Sequence, residues 1–296
     1  MQADLIATVP CGCTLGEGIL WDDRIGAFFW TDIQGQALHR YDLASDKHTA
    51  VTLPDRLASF ALTSDPGRLL AAFDRQIAWL DVDGGTLQRV AAPVLLPGVR
   101  MNDGRTDPVG RFWVGTMVEH AEAAGGDRRG ELFRFDADGT LSVHRGGIGI
   151  SNGLAFSPDG HWMYFADSTK AQVMKIAFSH GGTLMGETPF FASDGGTAPD
   201  GAAVSADGWY FSALWGGGRI AVLSPQGERV AEIAVPASQP SCCAFGGAGL
   251  DILAVTSAAE GLEGAARAAD PNAGHVFLYQ TDAQGLAAVP FAGHPP

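Results

Sequence analysis

Six residues recur at nearly even intervals and carry most of the chemistry this chain could perform: Glu17, Ser59, Asn102, Asn152, Asp200 and, at the loosest copy, about Cys242. Their separations are 42, 43, 50, 48 and 42 residues. Asn and Asp at any one of these positions could serve a turn, but Glu has no comparable turn preference. Two carboxylates and two amides gathered around one narrow space would repel one another and lose hydration unless a cation sat between them. Hard oxygen donors favour Ca²⁺, Mg²⁺ or Mn²⁺, and admit Fe²⁺ or Zn²⁺ where water completes the shell. Periodicity alone leaves open which of the six would bind.

The elements that must gather them are written in the same repeat. Asn152 to Gly160 is followed by the apolar run Met163 to Asp167 and then by Gln172 to Ile176, which reads as strand, Asp-Gly turn, strand, short turn, strand. The pattern recurs at Asp200 to Gly208 with Trp209 to Leu214 and Arg219 to Leu223. It recurs at Asn102 to Gly110 with Phe112 to Thr116 and Glu131 to Phe135, and at Ser59 to Gly67 with Leu69 to Phe73 and Ile77 to Leu80. Looser copies begin at Glu17, with Phe28 to Asp32 and Ala37 to Tyr41, and near Cys242, with Ile252 to Thr256 and His275 to Tyr279. A period in the forties built from β-branched and aromatic strands with Asp-Gly turns is the sequence form of a propeller blade. The expectation is an all-β, six-bladed β-propeller in which residues 1–296 form a single domain, with a metal site in the central channel. Equivalent positions of six blades would then ring one mouth of that channel. The stretch from Gly261 to Ala269 is expected to add a turn of helix within a loop.

Composition narrows the function. The chain has 296 residues, 46% of them apolar and 18% charged, with 40 Gly and 16 Pro. That mix suits a large core crossed by tight turns, and excludes a disordered tail or a collagen. Its net charge is −14, which disfavours nucleic acid and anionic lipid as partners. No run of 18 apolar residues occurs, and the start Met1-Gln2-Ala3-Asp4 lacks the basic and apolar regions of a secretory signal. A cytoplasmic protein, monomeric or weakly dimeric, is expected. Cys11-x-Cys13 and Cys242-Cys243 lack the spacing of common zinc ligand pairs, and read as reduced, mostly buried thiols.

Some apparent motifs fail on context. Gly149-Ile-Ser151-Asn152-Gly153 matches G-x-S-x-G, but strand and turn follow it where a nucleophile elbow needs a helix. Asp81-x-Asp83-Gly84 and Asp136-x-Asp138-Gly139 lack the downstream acidic ligand of a calcium loop and read as hairpin turns. The Trp residues, including Trp21, Trp30, Trp113 and Trp215, fit packing between blades.

Taken together, the blocks Leu15-Gly-Glu17-Gly-Ile-Leu-Trp21, Arg100-Met-Asn102-Asp-Gly104, Gly115-Thr-Met117, Ile150-Ser-Asn152-Gly153, Pro199-Asp200-Gly201, Ala213-Leu-Trp215-Gly216 and Cys243-Ala-Phe-Gly-Gly247 resemble the SMP-30/gluconolactonase/luciferin-regenerating-enzyme, or regucalcin-like, family. They run in family order from about residue 11 to 280. The resemblance implies one divalent metal cation (Ca²⁺, Zn²⁺, Mn²⁺ or Fe²⁺) held by Glu17, Asn152 and Asp200. It implies that Arg100, Asn102 and Glu119 bind the hydroxyls of a sugar lactone, and that 118–129 forms a loop over the pocket. It also gives Asp200 the role of general base. The implied activity is hydrolysis of an aldonolactone to the aldonic acid: the metal polarises the carbonyl and a carboxylate takes a proton from water. A residue that ligates a metal is a weakened base, so the alternative leaves water activation to the metal and has Asp200 position the water. Hydrolysis of phosphotriesters or other esters, and a non-catalytic calcium-binding role, are the competing readings.

Overall fold

A strand that is apolar at nearly every position is stable only when covered on both faces, and the inner strands of this chain are of that kind. Ala27–Asp32 and Leu57–Leu62 are buried throughout, whereas the outer strands Lys47–Thr52 and Arg229–Ala234 are mostly exposed. The computed structural model describes residues 1–85 and 87–295. Among the described residues, 24 strands form six four-stranded antiparallel sheets, arranged as a six-bladed β-propeller. The innermost strands are Gly16–Asp22, Leu57–Leu62, Val99–Thr106, Ser151–Phe156, Ala198–Val204 and Pro240–Gly246. Each follows the position expected from the repeat. The Asp-Gly turn after the fourth of them places Gly160 at φ 70°, a left-handed conformation that glycine adopts at little cost.

Five blades are built from consecutive strands. The sixth takes its outermost strand, Ala3–Val9, from the other end of the chain, paired antiparallel with Val276–Thr281. The repeat reading starts its first unit at Glu17 and leaves Ala3–Val9 unassigned, because an outermost strand is half exposed and carries no repeat signature. This pairing closes the ring.

The core is divided in the same way. Among the described residues six apolar clusters each join two adjacent blades, and a small seventh gathers Leu15, Ile33 and Ala258. Trp113, Leu132 and Ile148 of the third blade, for example, pack on Leu154, Met163 and Phe165 of the fourth. Trp21, Trp30 and Trp113 are buried in these wedges, as expected. The Asp81 and Asp136 fragments are hairpin turns. Among the described residues α-helix is confined to short loop segments, Ala121–Ala124 and Gly264–Ala269, the second within the stretch expected to form a helical turn, and Ser168–Lys170 adds a 3₁₀ turn. Among the described residues no helix is long and apolar enough to cross a membrane.

One end of the channel is crossed by the tail. Gly285 bridges to Ser205, Thr106 Oγ1 donates to the Val289 carbonyl, and Phe291 N donates to Leu62 O at 2.8 Å. The Phe291 ring then packs between Trp79 and Phe135, at centroid distances of 5.8 and 5.6 Å. Phe291→Ala is expected to destabilise the fold by about 3 kcal/mol or more, since it empties a site that is 3% exposed. Denaturant unfolding checks this, and a loss below about 1 kcal/mol would mean the tail is not part of the core.

Candidate active site

All six innermost strands carry a register irregularity at the repeat position: between Glu17 and Leu20, Leu57 and Ser59, Met101 and Gly104, Asn152 and Ala155, Pro199 and Ala202, and Pro240 and Cys243. A bulge releases a residue from strict alternation and re-aims its side chain. In the fourth blade the bulge is held by Gly153 at φ 63°, where an added Cβ would lie 2.5 Å from the Tyr210 hydroxyl. The chain can take this shape only with glycine there.

These bulges concentrate acid in the channel. Asp200, Asp103 and Asn152 are 5%, 6% and 5% exposed, and Glu17 is half-buried. Burial and the neighbouring Asp103 push the Glu17 carboxyl up to about 8. Burial, Glu17 and Asp103 together raise Asp200 well above the usual carboxylate range. The two carboxyls lie close enough to act on each other, and burial raises both. Asp103 is also raised by burial, partly offset by Arg105 and by the Leu154 N–H that it accepts at 2.9 Å. Ser59 and Cys242, both fully buried, complete the ring with uncharged groups.

Beside the acids runs a chain of hydrogen bonds with a single direction. Arg100 Nη1 donates to Asn102 Oδ1 at 3.1 Å, and Asn102 Nδ2 donates to Asn152 Oδ1 at 3.0 Å. Asn152 Nδ2 donates to Ser168 Oγ at 2.9 Å, and Ser168 Oγ donates to the carbonyl of Pro199 at 2.7 Å. A guanidinium can only donate, so it fixes the orientation of both amides after it. The chain links three blades and ends on the residue before Asp200.

Arg100 is held from its other side. Its Nε donates to Glu119 Oε1 at 3.1 Å, and Arg56 grips both Glu119 oxygens at 2.8 and 3.0 Å. Burial raises the Glu119 carboxyl, but the Arg56 hydrogen bonds and the Arg100 charge outweigh it and hold it at about 2. Glu119 opens the segment expected to cover the pocket. That segment is tied down: Glu119 N and His120 N donate to Gly98 O, Ala124 is buried against the third blade, and Arg128 donates to Asp167 of the fourth blade at 2.9 Å.

The family model for the SMP-30/Gluconolactonase/LRE-like region matches residues 15–259. The chain is 40% identical to the L-arabinolactonase of Azospirillum brasilense, over 99% of this chain and 97% of that protein. It is 36% identical to the 6-deoxy-6-sulfogluconolactonase of Pseudomonas putida, over 99% and 100% of the two chains. Among solved structures it is similar to regucalcin, a calcium-binding protein of Agrobacterium tumefaciens, with a TM-score of 0.90 at 31% identity over 97% and 98% of the chains. The chain belongs to the SMP-30/gluconolactonase/LRE-like family.

Of the residues singled out by sequence, Glu17, Asn102, Asn152 and Asp200 meet at one mouth of this family propeller, with Arg100 bonded to the group and Glu119 reaching it through Arg100. The donor set fits a hard divalent cation: two carboxyls whose charged forms burial penalises, beside an amide whose oxygen is fixed by its neighbours. Ser151 of the G-x-S-x-G match is fully buried and packs against Gly115, so it offers no nucleophile. Three participants escape the sequence pattern. Strict strand alternation sends Asp103, the neighbour of Asn102, away from the channel, and the bulge returns it. Arg56 and Ser168 lie in no repeat-equivalent polar position, and no sequence signal points to them.

The raised carboxyls set a pH dependence. Without a cation the folded protein releases the Glu17 proton near 8, while the unfolded chain releases it near about 4.3. The folded state therefore holds more protons between those values. Its stability is full below about 4.3 and falls as pH rises through 8. Unfolding with chelator present across about pH 5 to 8.5 is expected to show this fall, and Glu17→Gln to make it shallower, the raised Asp200 and Asp103 carboxyls supplying the remainder. An unchanged slope in that variant would assign the effect to other groups.

Proposed function

We propose that this family propeller hydrolyses a sugar lactone to the aldonic acid, with a divalent cation held by Glu17, Asn152 and Asp200. The observation that carries this reading is the directional chain from Arg100 through Asn102 and Asn152, set beside the Glu17–Asp200 carboxyl pair. Polyol-binding donors and a hard-cation donor set are adjoining parts of one network. The relatives named as lactonases support the reaction class, and the likeness to a calcium-binding regucalcin supports a cation. The whole chain, residues 1–296, would act as one domain.

A bound cation supplies Lewis acidity to the lactone carbonyl and to the attacking water. The protein's groups do the rest. Arg100 and Asn102 orient the sugar ring through its hydroxyls, while Glu119 fixes Arg100 with a second arginine behind it. The water oxygen bonds to the carbonyl carbon as Asp200 takes its proton. The ring C–O bond then breaks, and the ring oxygen leaves as a hydroxyl carrying that proton. Glu17 and Asn152 hold position throughout. A polar mouth of this kind suits a polyol better than an apolar phosphotriester.

The test is acid release from a panel of 1,4- and 1,5-aldonolactones by chelator-stripped protein, before and after each divalent metal is restored, with spontaneous opening subtracted. Turnover of one or a few sugar lactones, restored by metal, is expected. Metal binding without turnover of any lactone would overturn the reading. Asp200→Ala is expected to lower kcat by roughly 10²–10⁴-fold. Arg100→Ala is expected mainly to raise KM, and full activity in the Asp200 variant would remove that residue from the site.

A further inference from the structure

Cys11 and Cys13 lie in the segment that joins the closing strand Ala3–Val9 to the innermost strand of the first blade. The fold brings them against Asp32 and His39, on the second and third strands of that blade. Ligand atoms of Cys13, Asp32 and His39 lie within 4.8 Å of one another, and all three residues are buried. Cys13 Sγ lies 3.8 Å from His39 Nε2, and Cys11 Sγ lies 3.5 Å from Cys13 Sγ but outside the three-residue group, so Cys11 must turn toward it to become a fourth ligand. Zinc held at about 2.3 Å from sulfur and about 2.0 Å from nitrogen in a tetrahedron has edges of about 3.8 Å between sulfurs and about 3.5 Å from sulfur to nitrogen. Both separations match those edges to within about 0.3 Å.

The imidazole is also prepared for a metal. His39 Nδ1 is 2.9 Å from His48 Nε2, the two rings lie nearly coplanar, and both stack on Trp30. A partner on one ring nitrogen fixes the tautomer and leaves the other lone pair for a ligand. Burial, with His48 beside it, holds His39 down at about 4, so it is neutral near pH 7. Cys13 donates its thiol proton to Cys11, which lowers Cys11 and raises Cys13.

Comparison between blades removes the simplest structural explanation. Asp32 accepts the N–H groups of Thr14 and Leu15, each at 2.9 Å. Asp167 holds the same place in the fourth blade and accepts the N–H groups of Gly149 and Ile150. There the positions of Cys13 and His39 are occupied by Ile148 and Met174, the latter paired with Phe165 as His39 is paired with Trp30. The carboxylate frame therefore stands without thiols or an imidazole, and the first blade adds them.

We propose that Cys11, Cys13 and His39, with the Asp32 carboxylate, form a second metal site that takes a thiophilic divalent cation of the zinc type. It stands apart from the channel in both place and ligand chemistry. Two ligands come from the segment that leaves the sixth blade and two from the first blade, so a cation there fastens the ring at its closure. Metal binding to such a set is also folding free energy.

Cobalt(II) is the probe. Reduced, chelator-stripped protein titrated with Co²⁺ is expected to develop a thiolate-to-cobalt charge-transfer band together with tetrahedral ligand-field bands, both displaced by Zn²⁺. Cys13→Ser and His39→Gln should each abolish the thiolate band, and Glu17→Gln combined with Asp200→Asn should keep it. Zn²⁺ should also raise the unfolding temperature of that double variant. The wild-type spectrum needs no folded variant, so a reduced wild-type protein with no thiolate band overturns the proposal. A band that survives Cys13→Ser, with circular dichroism showing the variant folded, overturns it equally.

Discussion

The polar mouth of the channel depends on one constraint: the guanidinium of Arg100 can donate hydrogen bonds and cannot accept them. Asn side chains are symmetric enough that an isolated amide could sit either way round. With Arg100 fixed, Asn102 must turn its oxygen toward it, and Asn152 must turn its oxygen toward Asn102. The two remaining bonds, to Ser168 and then to the Pro199 carbonyl, carry that order to the strand that bears Asp200. Glu119 and Arg56 matter for the same reason. They hold the head of the chain, and with it a geometry that three blades share.

The acids work against this order. Glu17, Asp103 and Asp200 occupy a volume in which their charges are mutually unfavourable, and Arg105 answers only part of that charge. A core built as six wedges between blades can carry such a centre, because its apolar packing lies between the sheets rather than on the axis. The channel is a place where polar groups displace none of this packing. It is also where the bulges of six innermost strands converge, so the residues freed from alternation are those that face the axis.

Much of this is legible in the sequence because the repeat acts at two levels. Its period marks the blades, and the residues at its phase are Glu17, Asn102, Asn152 and Asp200. The family resemblance adds Arg100 and Glu119, which no periodicity marks. Asp103 is hidden by the bulge, a backbone feature that period-two alternation cannot express. Arg56 and Ser168 are hidden because they act on other side chains, and such roles leave no spacing. The strand Ala3–Val9 is hidden for a third reason: its partner, Val276–Thr281, lies at the far end of the chain. The spacing of Cys11-x-Cys13 argues against a zinc pair, but spacing says nothing of a histidine on a neighbouring strand.

The two donor sets differ in a way that bears on cation choice. Cys13 and Glu17 are close neighbours in the chain, yet one set offers thiols and imidazole and the other offers only oxygen. Affinity for divalent cations follows ligand softness and geometry as well as the general order of the metals. A thiophilic cation entering this chain meets a set suited to it near the ring closure, and the oxygen set holds no comparable advantage for it. Hard cations have correspondingly little to gain from thiolates. Asp32 stands between the two, gripping the N–H groups of Thr14 and Leu15 on the approach to Glu17. A cation that drew on its carboxylate would stiffen the segment from which Glu17 enters the channel, so the closure of the ring and the placement of its first acid are one mechanical problem.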